Sequence, residues 1–434
     1  MSTIQSPTTP DLLRTLAASE VRVENDEPVD AETLAATGQI INDVRTRGWP
    51  AVIDHATRLG DLAPGSPAII ERAELRRALD ELDRESRRVL SDAADRIRAF
   101  ALAQLACLSP LAMNVPGGRA GHTIAPVDRA GCYAPGGRFP LPSSVLMTAV
   151  TARAAGVREV WVASPRPAQV TLAAAALADA DALLAIGGAQ AIAAMAFGSG
   201  QVPACDLIVG PGNRWVTAAK KLVVGRVGID MLAGPSEVLI IADDSADAAL
   251  VAADLLAQAE HDDDAVPILV TTDAGLIARV NAELHRQLAD LPTGPTARAA
   301  LRNGFAVVCG SMDEAIAISD RLAPEHLEIH ARDAQRVADR CRHYGGVFIG
   351  SATAEVLGDY GLGPNHVLPT GRTARFTGGL SVFTFLRIRT WLAPPNTSSR
   401  LNSQFGPLCA DVAKLARLEG LEAHAKAASA RTKV

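Results

Sequence analysis

Between Pro126 and Ile349 short apolar runs alternate with helical stretches, and this rhythm constrains the fold more than any other feature of the chain. "EVWVAS", "DALLAI" and "CDLIVG" are each too short for a helix. Each is followed by a helical pattern: "QVTLAAAALA", "AQAIAAMAFG" and "RWVTAAKKLV". A helix between two strands brings the chain back to its starting edge, so the strands run parallel. A parallel sheet needs cover on both faces, and its strands read as continuous apolar runs. A second series starts at "GPSEVLIIADD" and continues through "PILVTT", "FAVVCG", "HLEIH" and "GVFIG", again separated by helices. The expected class is therefore α/β, with two parallel-sheet units whose ligands sit beyond the carboxyl ends of strands.

The flanks read differently. Residues 1 to about 25 form an arm or short helix, rich in Ser, Thr and Pro. "DAETLAATGQIINDVRTRGW" is a helix capped by its aspartate. "ERAELRRALDELDRESRRVLSDAADRIRAFALAQL" is long and charged on one side. Near the end "APPNTSSRLNSQ" is a linker into a terminal helix. A length of 434 residues fits two or three domains.

Some functions are disfavoured at once. The net charge is −6 and no basic run of five or more occurs, which argues against nucleic acid. No segment holds 18 uninterrupted apolar residues, so no membrane span is expected. The N-terminus lacks a basic start followed by an apolar run, so no secretory signal is expected. The six cysteines are scattered without a CxxC pair, which fits a reducing cytoplasm. Cys132, beside Tyr133, reads as a buried structural cysteine.

Several constellations could carry chemistry. In "LAPEHLEI", Glu325 and His326 are neighbours at a helix-to-strand junction made by Pro324. Adjacent side chains point apart, so two functional neighbours would act from different sides of one ligand. In "QAEH", Gln258 and His261 share one face of a helix, as metal ligands or as surface groups. The irregular loop "GDYGLGPNHVLPTG" offers Asp359, Asn365 and His366. Glu419 and His424 lie near the chain end. "YAPGGRFPLPSS", "GGAQA" at 187–191 and "GPGN" at 210–213 are glycine turns before helices, whose backbone amides suit phosphate. None is a G-x-G-x-x-G fingerprint.

Taken in order, "APGGRFPLPSSVLMTAV", "GGAQAIAAMAFG", "GPGNRWVTAAKKLV", "GIDMLAGPSEVLIIAD", "AQAEHD", "LAPEHLEI" and "GDYGLGPNHVLPTG" resemble histidinol dehydrogenase over roughly residues 25–428. That resemblance implies two Rossmann-like parallel-sheet domains in an aldehyde-dehydrogenase-like arrangement, with small helical N- and C-terminal extensions. The domains expected are residues 26–132 with 237–390, and residues 133–236 for NAD. A 1–25 arm and a 391–434 tail, swapped in a homodimer, complete the chain. The implied reaction oxidises L-histidinol through L-histidinal to L-histidine with NAD⁺ and one zinc ion per subunit. The resemblance implies zinc ligands at Gln258, His261, Asp359 and His424, which with Ser236, His326 and Glu419 also meet the substrate. It places Tyr133, Gln190 and Asn213 at NAD. It makes His326 the general base and Glu325 the group that activates water. A paralogue that oxidises another small polar alcohol is the alternative.

Overall fold

The computed structural model describes residues 11–22, 29–62, 65–136, 139–393 and 402–433. Part of the expected linker and two residues of the "YAPGG" turn lie outside them. Two six-stranded sheets dominate. One is parallel throughout, in the order Arg14–Leu16, Phe305–Val308, Val266–Thr271, Glu237–Ala242, His326–His330, Gly346–Ile349. The other runs Ile69–Glu71, Ala182–Leu184, Glu159–Ala163, Arg129–Tyr133, Leu207–Val209, Gly228–Ile229. Only its Ile69–Glu71 edge is antiparallel.

Both sheets are covered on two faces. Val238 and Ile240 pack into one apolar cluster while Leu239 and Ile241 pack into another on the opposite face. The other sheet is likewise sandwiched between two clusters. This double burial is why the strands read as continuous apolar runs. Strand His326–His330 is the exception. Leu327 and Ile329 fill one face, whereas His326, Glu328 and His330 occupy the other, and all five residues are buried.

Several readings of the flanks need correction. Residues expected as an arm supply the Arg14–Leu16 strand, which pairs in parallel with Phe305–Val308. Its Leu13 neighbour is fully buried, so apolar packing ties the segment down. The long charged helix is two, Arg72–Asp80 and Arg84–Ala106, because Asp83 caps the second through the Glu85 and Ser86 amides. Strands Leu111–Val115, Gly118–Pro126 and Leu386–Ala393 form an antiparallel sheet that helical periodicity did not indicate. The helices between Ala31 and Ala106, with the Ile69–Glu71 strand, cover the Arg129–Tyr133 sheet. The expected cap at Asp30 is present, accepting from the Thr33 amide at 2.7 Å.

One buried ion pair sets a turn that matters below. Lys220 is paired with Asp230 and donates to the Gly210 carbonyl (3.0 Å), while Asp230 accepts from the Gly210 amide (2.7 Å). Both side chains are almost wholly enclosed. Removing one partner strands the other charge, so Lys220→Met is expected to cost about 3–5 kcal/mol of stability. A denaturant titration with an unchanged midpoint would contradict this.

Candidate active site

Three elements converge at the amino ends of the fully parallel sheet. The helix Met312–Leu322 ends with Ala323 in the left-handed region, and Glu325–His326 then lead into the strand His326–His330, between Glu237–Ala242 and the edge strand Gly346–Ile349. Helix Ala248–Ala259 follows strand Glu237–Ala242 and returns to that same edge, where it delivers Gln258 and then His261. The short helix Glu355–Tyr360 follows strand Gly346–Ile349 and contributes Glu355 and Asp359, one turn apart on one face. Pro324 stops one helix and starts a strand, as its sequence context indicates.

His326 is buried, and its Nδ1–H donates to the Glu237 carbonyl at 3.1 Å. That bond selects the tautomer whose Nε2 carries the lone pair, and Nε2 has no hydrogen-bond partner among the described residues. Burial pushes the His326 pKa down to about 3, so the ring is neutral, with its Nε2 lone pair open, and a weaker base than an exposed imidazole. The Phe348 ring lies 6.1 Å from it, centroid to centroid. Glu325 Oε2 accepts the Glu237 amide at 2.9 Å and lies 3.7 Å from His326 Nδ1. Burial raises the Glu325 carboxyl well above the usual carboxylate range.

Gln258 is completely buried. With its amide nitrogen turned inward it donates to Glu355 Oε2 (3.0 Å) and the Glu237 carbonyl (3.3 Å) and lies 3.2 Å from His326 Nδ1, which stays a donor because the Glu237 carbonyl can only accept; the amide oxygen then faces the other way. His261, Glu355 and Asp359 bring ligand atoms within 4.8 Å of one another. His261 is half-exposed, with Nε2 4.0 Å from Glu355 Oε1, while both carboxylates are buried. Glu355 Oε1 and Asp359 Oδ1 are buried without a hydrogen-bond partner among the described residues. Burial raises Asp359 to about 7 and Glu237 to about 7, and raises Glu355 well above its usual range. Orphaned carboxylate oxygens beside an imidazole and an amide oxygen are a donor set that fits a divalent cation, whose charge would restore the ionised form. His366 adds a ring whose Nδ1–H donates to the Asp359 carbonyl at 3.2 Å.

The cluster thus unites Glu325, His326, Gln258, His261 and Asp359 as the sequence reading groups them. Ser236 immediately precedes Glu237 at the same edge. Glu355 and Glu237 were not singled out in sequence. Glu355 had a readable signal, its spacing of four from Asp359 in "EVLGD", whereas Glu237 looks like any strand start. Glu419 and His424 do not join the cluster. Both are exposed on the helix pair 402–418 and 422–430, which packs chiefly on itself.

The expected cofactor residues gather at the carboxyl ends of the other sheet. Tyr133 ends its strand, and its hydroxyl accepts the Gly188 amide at 3.1 Å. Gln190 donates to Asp61 at 3.0 Å, and Asp61 also accepts the Gly187 amide at 3.2 Å. Asn213 caps helix Arg214–Val223 through its Oδ1, so only its amide nitrogen is left for a ligand. Gly210 has φ +112°, and a Cβ there would lie 2.0 Å from the Tyr133 carbonyl oxygen, so only glycine lets these strand ends meet. The stretch from Asp230 to Ser236 runs from this edge toward the acidic cluster, so those two residues are at most about 20 Å apart. Cys132 is fully buried and burial pushes its thiol up to about 12, which excludes a ready nucleophile.

Glycine turns on one sheet, joined by a short stretch to a buried imidazole–carboxylate cluster on another, mark an α/β protein with a candidate active site. The sequence matches the family model for histidinol dehydrogenase over residues 23–432. It is 43% identical to the histidinol dehydrogenase of Ralstonia nicotianae (96% of this chain, 94% of the relative). It is likewise 43% identical to that of Thermus thermophilus (98% and 95%). The crystal structure of histidinol dehydrogenase from Elizabethkingia anophelis superposes with a TM-score of 0.90 at 30% identity, covering 98% of this chain and 99% of that one. The chain belongs to the histidinol dehydrogenase family.

Proposed function

We propose that this enzyme oxidises L-histidinol through L-histidinal to L-histidine in two NAD⁺-linked steps with one zinc ion per subunit, the last step of histidine biosynthesis. Family membership supports the substrate. The observation that carries the roles is the buried cluster in which His326 keeps Nε2 free beside Glu325, Gln258, His261 and Asp359. When bound, zinc supplies a positive anchor for the substrate's imidazole and amine, and NAD⁺ supplies the hydride acceptor. Gln258, His261 and Asp359 would hold the metal, with His424 completing the set.

His326 takes the hydroxyl proton at Nε2 as hydride leaves the carbinol carbon, while Nδ1–H stays on the Glu237 carbonyl. An aldehyde has no hydride to give until it is hydrated, so Glu325 removes a proton from the water that adds to the carbonyl carbon, and the protonated His326 returns its proton to the carbonyl oxygen. His326 then takes a hydroxyl proton of the hydrate as the second hydride leaves. Burial excludes bulk water, which limits loss of the aldehyde. Tyr133, Gln190 and Asn213 bind NAD, and Ser236 and Glu419 bind the substrate.

Glu419 and His424 reach the partner subunit's site in a homodimer. Their exposure supports this, as do the exposed apolar residues Val412, Leu415 and Leu418 on the same helix. The cytoplasm is the expected compartment, consistent with six free cysteines. The described residues include no helix long and apolar enough to cross a membrane.

The test is NADH formed per L-histidinol consumed on zinc-loaded protein, with L-histidine assayed in the same tube. Two NADH per substrate, lost to a chelator and regained with zinc, is expected. A folded, zinc-bound protein that leaves L-histidinol untouched would shift the assignment to another small polar alcohol.

A further inference from the structure

Behind the cluster lies a polar ladder that the proposed chemistry does not use. Glu328 and His330 follow His326 on the same face of their strand, beneath helix Ala248–Ala259. Glu328 is fully buried, His330 is 2% exposed, and Asp254 descends on them from that helix, one turn before Gln258. His330 Nε2 lies 3.4 Å from Glu328 Oε2 and 3.5 Å from Asp254 Oδ2. Burying such groups in a sheet otherwise packed with aliphatic residues is costly, so a compensating contact is required. Glu328 Oε1 makes one. It accepts the backbone N–H of Glu355 at 2.7 Å.

Glu355 is the first residue of helix Glu355–Tyr360, whose own cap position is Ala354, with no side-chain cap. The first N–H groups of a helix need acceptors, and a carboxylate is the favoured one. Here the acceptor comes from a strand 27 residues earlier. A second constraint on the helix is steric. A Cβ on Gly358 would lie 2.7 Å from the Phe348 ring, so glycine seats the helix against the neighbouring strand. Between them, Glu328 and Phe348 set where Glu355 and Asp359 point.

We propose that Glu328 is a positioning residue. By capping the Glu355–Tyr360 helix from the His326–His330 strand, with His330 Nε2 3.4 Å from its other oxygen, it sets the geometry of the carboxylates Glu355 and Asp359. The inference rests on the proposed function only in taking zinc as the ion those carboxylates meet.

Two readouts separate the two claims. The first is amide hydrogen exchange across residues 355–360 in the metal-free protein. Glu328→Leu should lose protection there alone, while Glu328→Gln, which keeps an oxygen acceptor, should retain it. The second is zinc affinity by competition with a chelator. Glu328→Leu should weaken it by about 10- to 100-fold, Glu328→Gln should stay near wild type, and NAD⁺ affinity should be unchanged in both. Adding Ala354→Ser, a local cap in an extended position (φ −109°, ψ 161°), should recover part of the loss. If Glu328→Leu does not fold, that double variant carries the comparison. Unchanged exchange in Glu328→Leu, or equal damage from Leu and Gln with lowered NAD⁺ affinity, overturns the assignment. So does uptake of a second zinc per chain that Asp254→Asn abolishes, since the triad would then be a metal site. If the wild type takes up no zinc at all, the proposed function fails, and the exchange comparison still decides the role of Glu328.

Discussion

His326→Asn is expected to lower the first oxidation of L-histidinol by about 10²- to 10⁴-fold, the range ascribed to a general base, while zinc content stays at the wild-type level. Asparagine can still donate to the Glu237 carbonyl, as Nδ1–H does at 3.1 Å, so the local backbone contact survives. It has no counterpart of the Nε2 lone pair. The metal is expected to stay because His326 is not among Gln258, His261, Asp359 and His424. Burial holds the ring neutral down to about pH 3, so across the working range it is already in the form that takes a proton. Metal content by elemental analysis and single-turnover NADH formation read the two halves separately. Loss of zinc together with activity would make His326 a ligand, and a near-normal rate would remove it from the chemistry.

What the sequence disclosed, and what it withheld, follows from the range of the forces involved. Most strands of both sheets were legible because double burial writes itself as unbroken apolar runs such as "EVLIIA" and "PILVT", whereas Arg14–Leu16, Ile69–Glu71, Arg129–Tyr133 and Gly228–Ile229 were not read as strands. The Glu325–His326 junction was legible because Pro324 is a local stop. The antiparallel sheet was not: four of the five side chains of Leu111–Val115 and most of Leu386–Ala393 are outside the core, so no apolar period marks them. Nor was the place of the helices between Ala31 and Ala106, whose partners are chosen by contacts distant in sequence. Glu355 looks in sequence like a solvated acid at a helix start. Its burial is imposed by Glu328 and Gln258, neither of them near it in the chain. Conversely, Glu419 and His424 carry the family resemblance but lie exposed, away from the cluster.

Glu325→Gln should divide the reaction. The side chain is nearly isosteric, and its amide oxygen can still accept the Glu237 amide that Glu325 Oε2 accepts at 2.9 Å, so the pocket and the first oxidation are expected to persist with modest loss. Aldehyde conversion should fall by about 10²- to 10⁴-fold, because glutamine cannot take a proton from water. The stoichiometry would then drop from two NADH per L-histidinol toward one, with aldehyde accumulating. The pH dependence has a defined sign. Only the ionised carboxylate is a base, and burial raises the Glu325 pKa, so in the wild type the aldehyde step gains rate as pH rises through that value. The variant has no such group and should lose that limb, while the alcohol step, which needs neutral His326, keeps its profile. Trapping the aldehyde with a carbonyl reagent, beside NADH counted with L-histidinol and L-histidinal as separate substrates, gives both halves. Equal loss of the two steps would mean that Glu325 shapes the pocket as a whole, and the water would then need another base. Glu355 is the nearest buried carboxylate to replace it, 3.9 Å from His326 Nδ1. Glu355→Gln, compared in the same assay, would then show the aldehyde-specific defect that Glu325→Gln lacked.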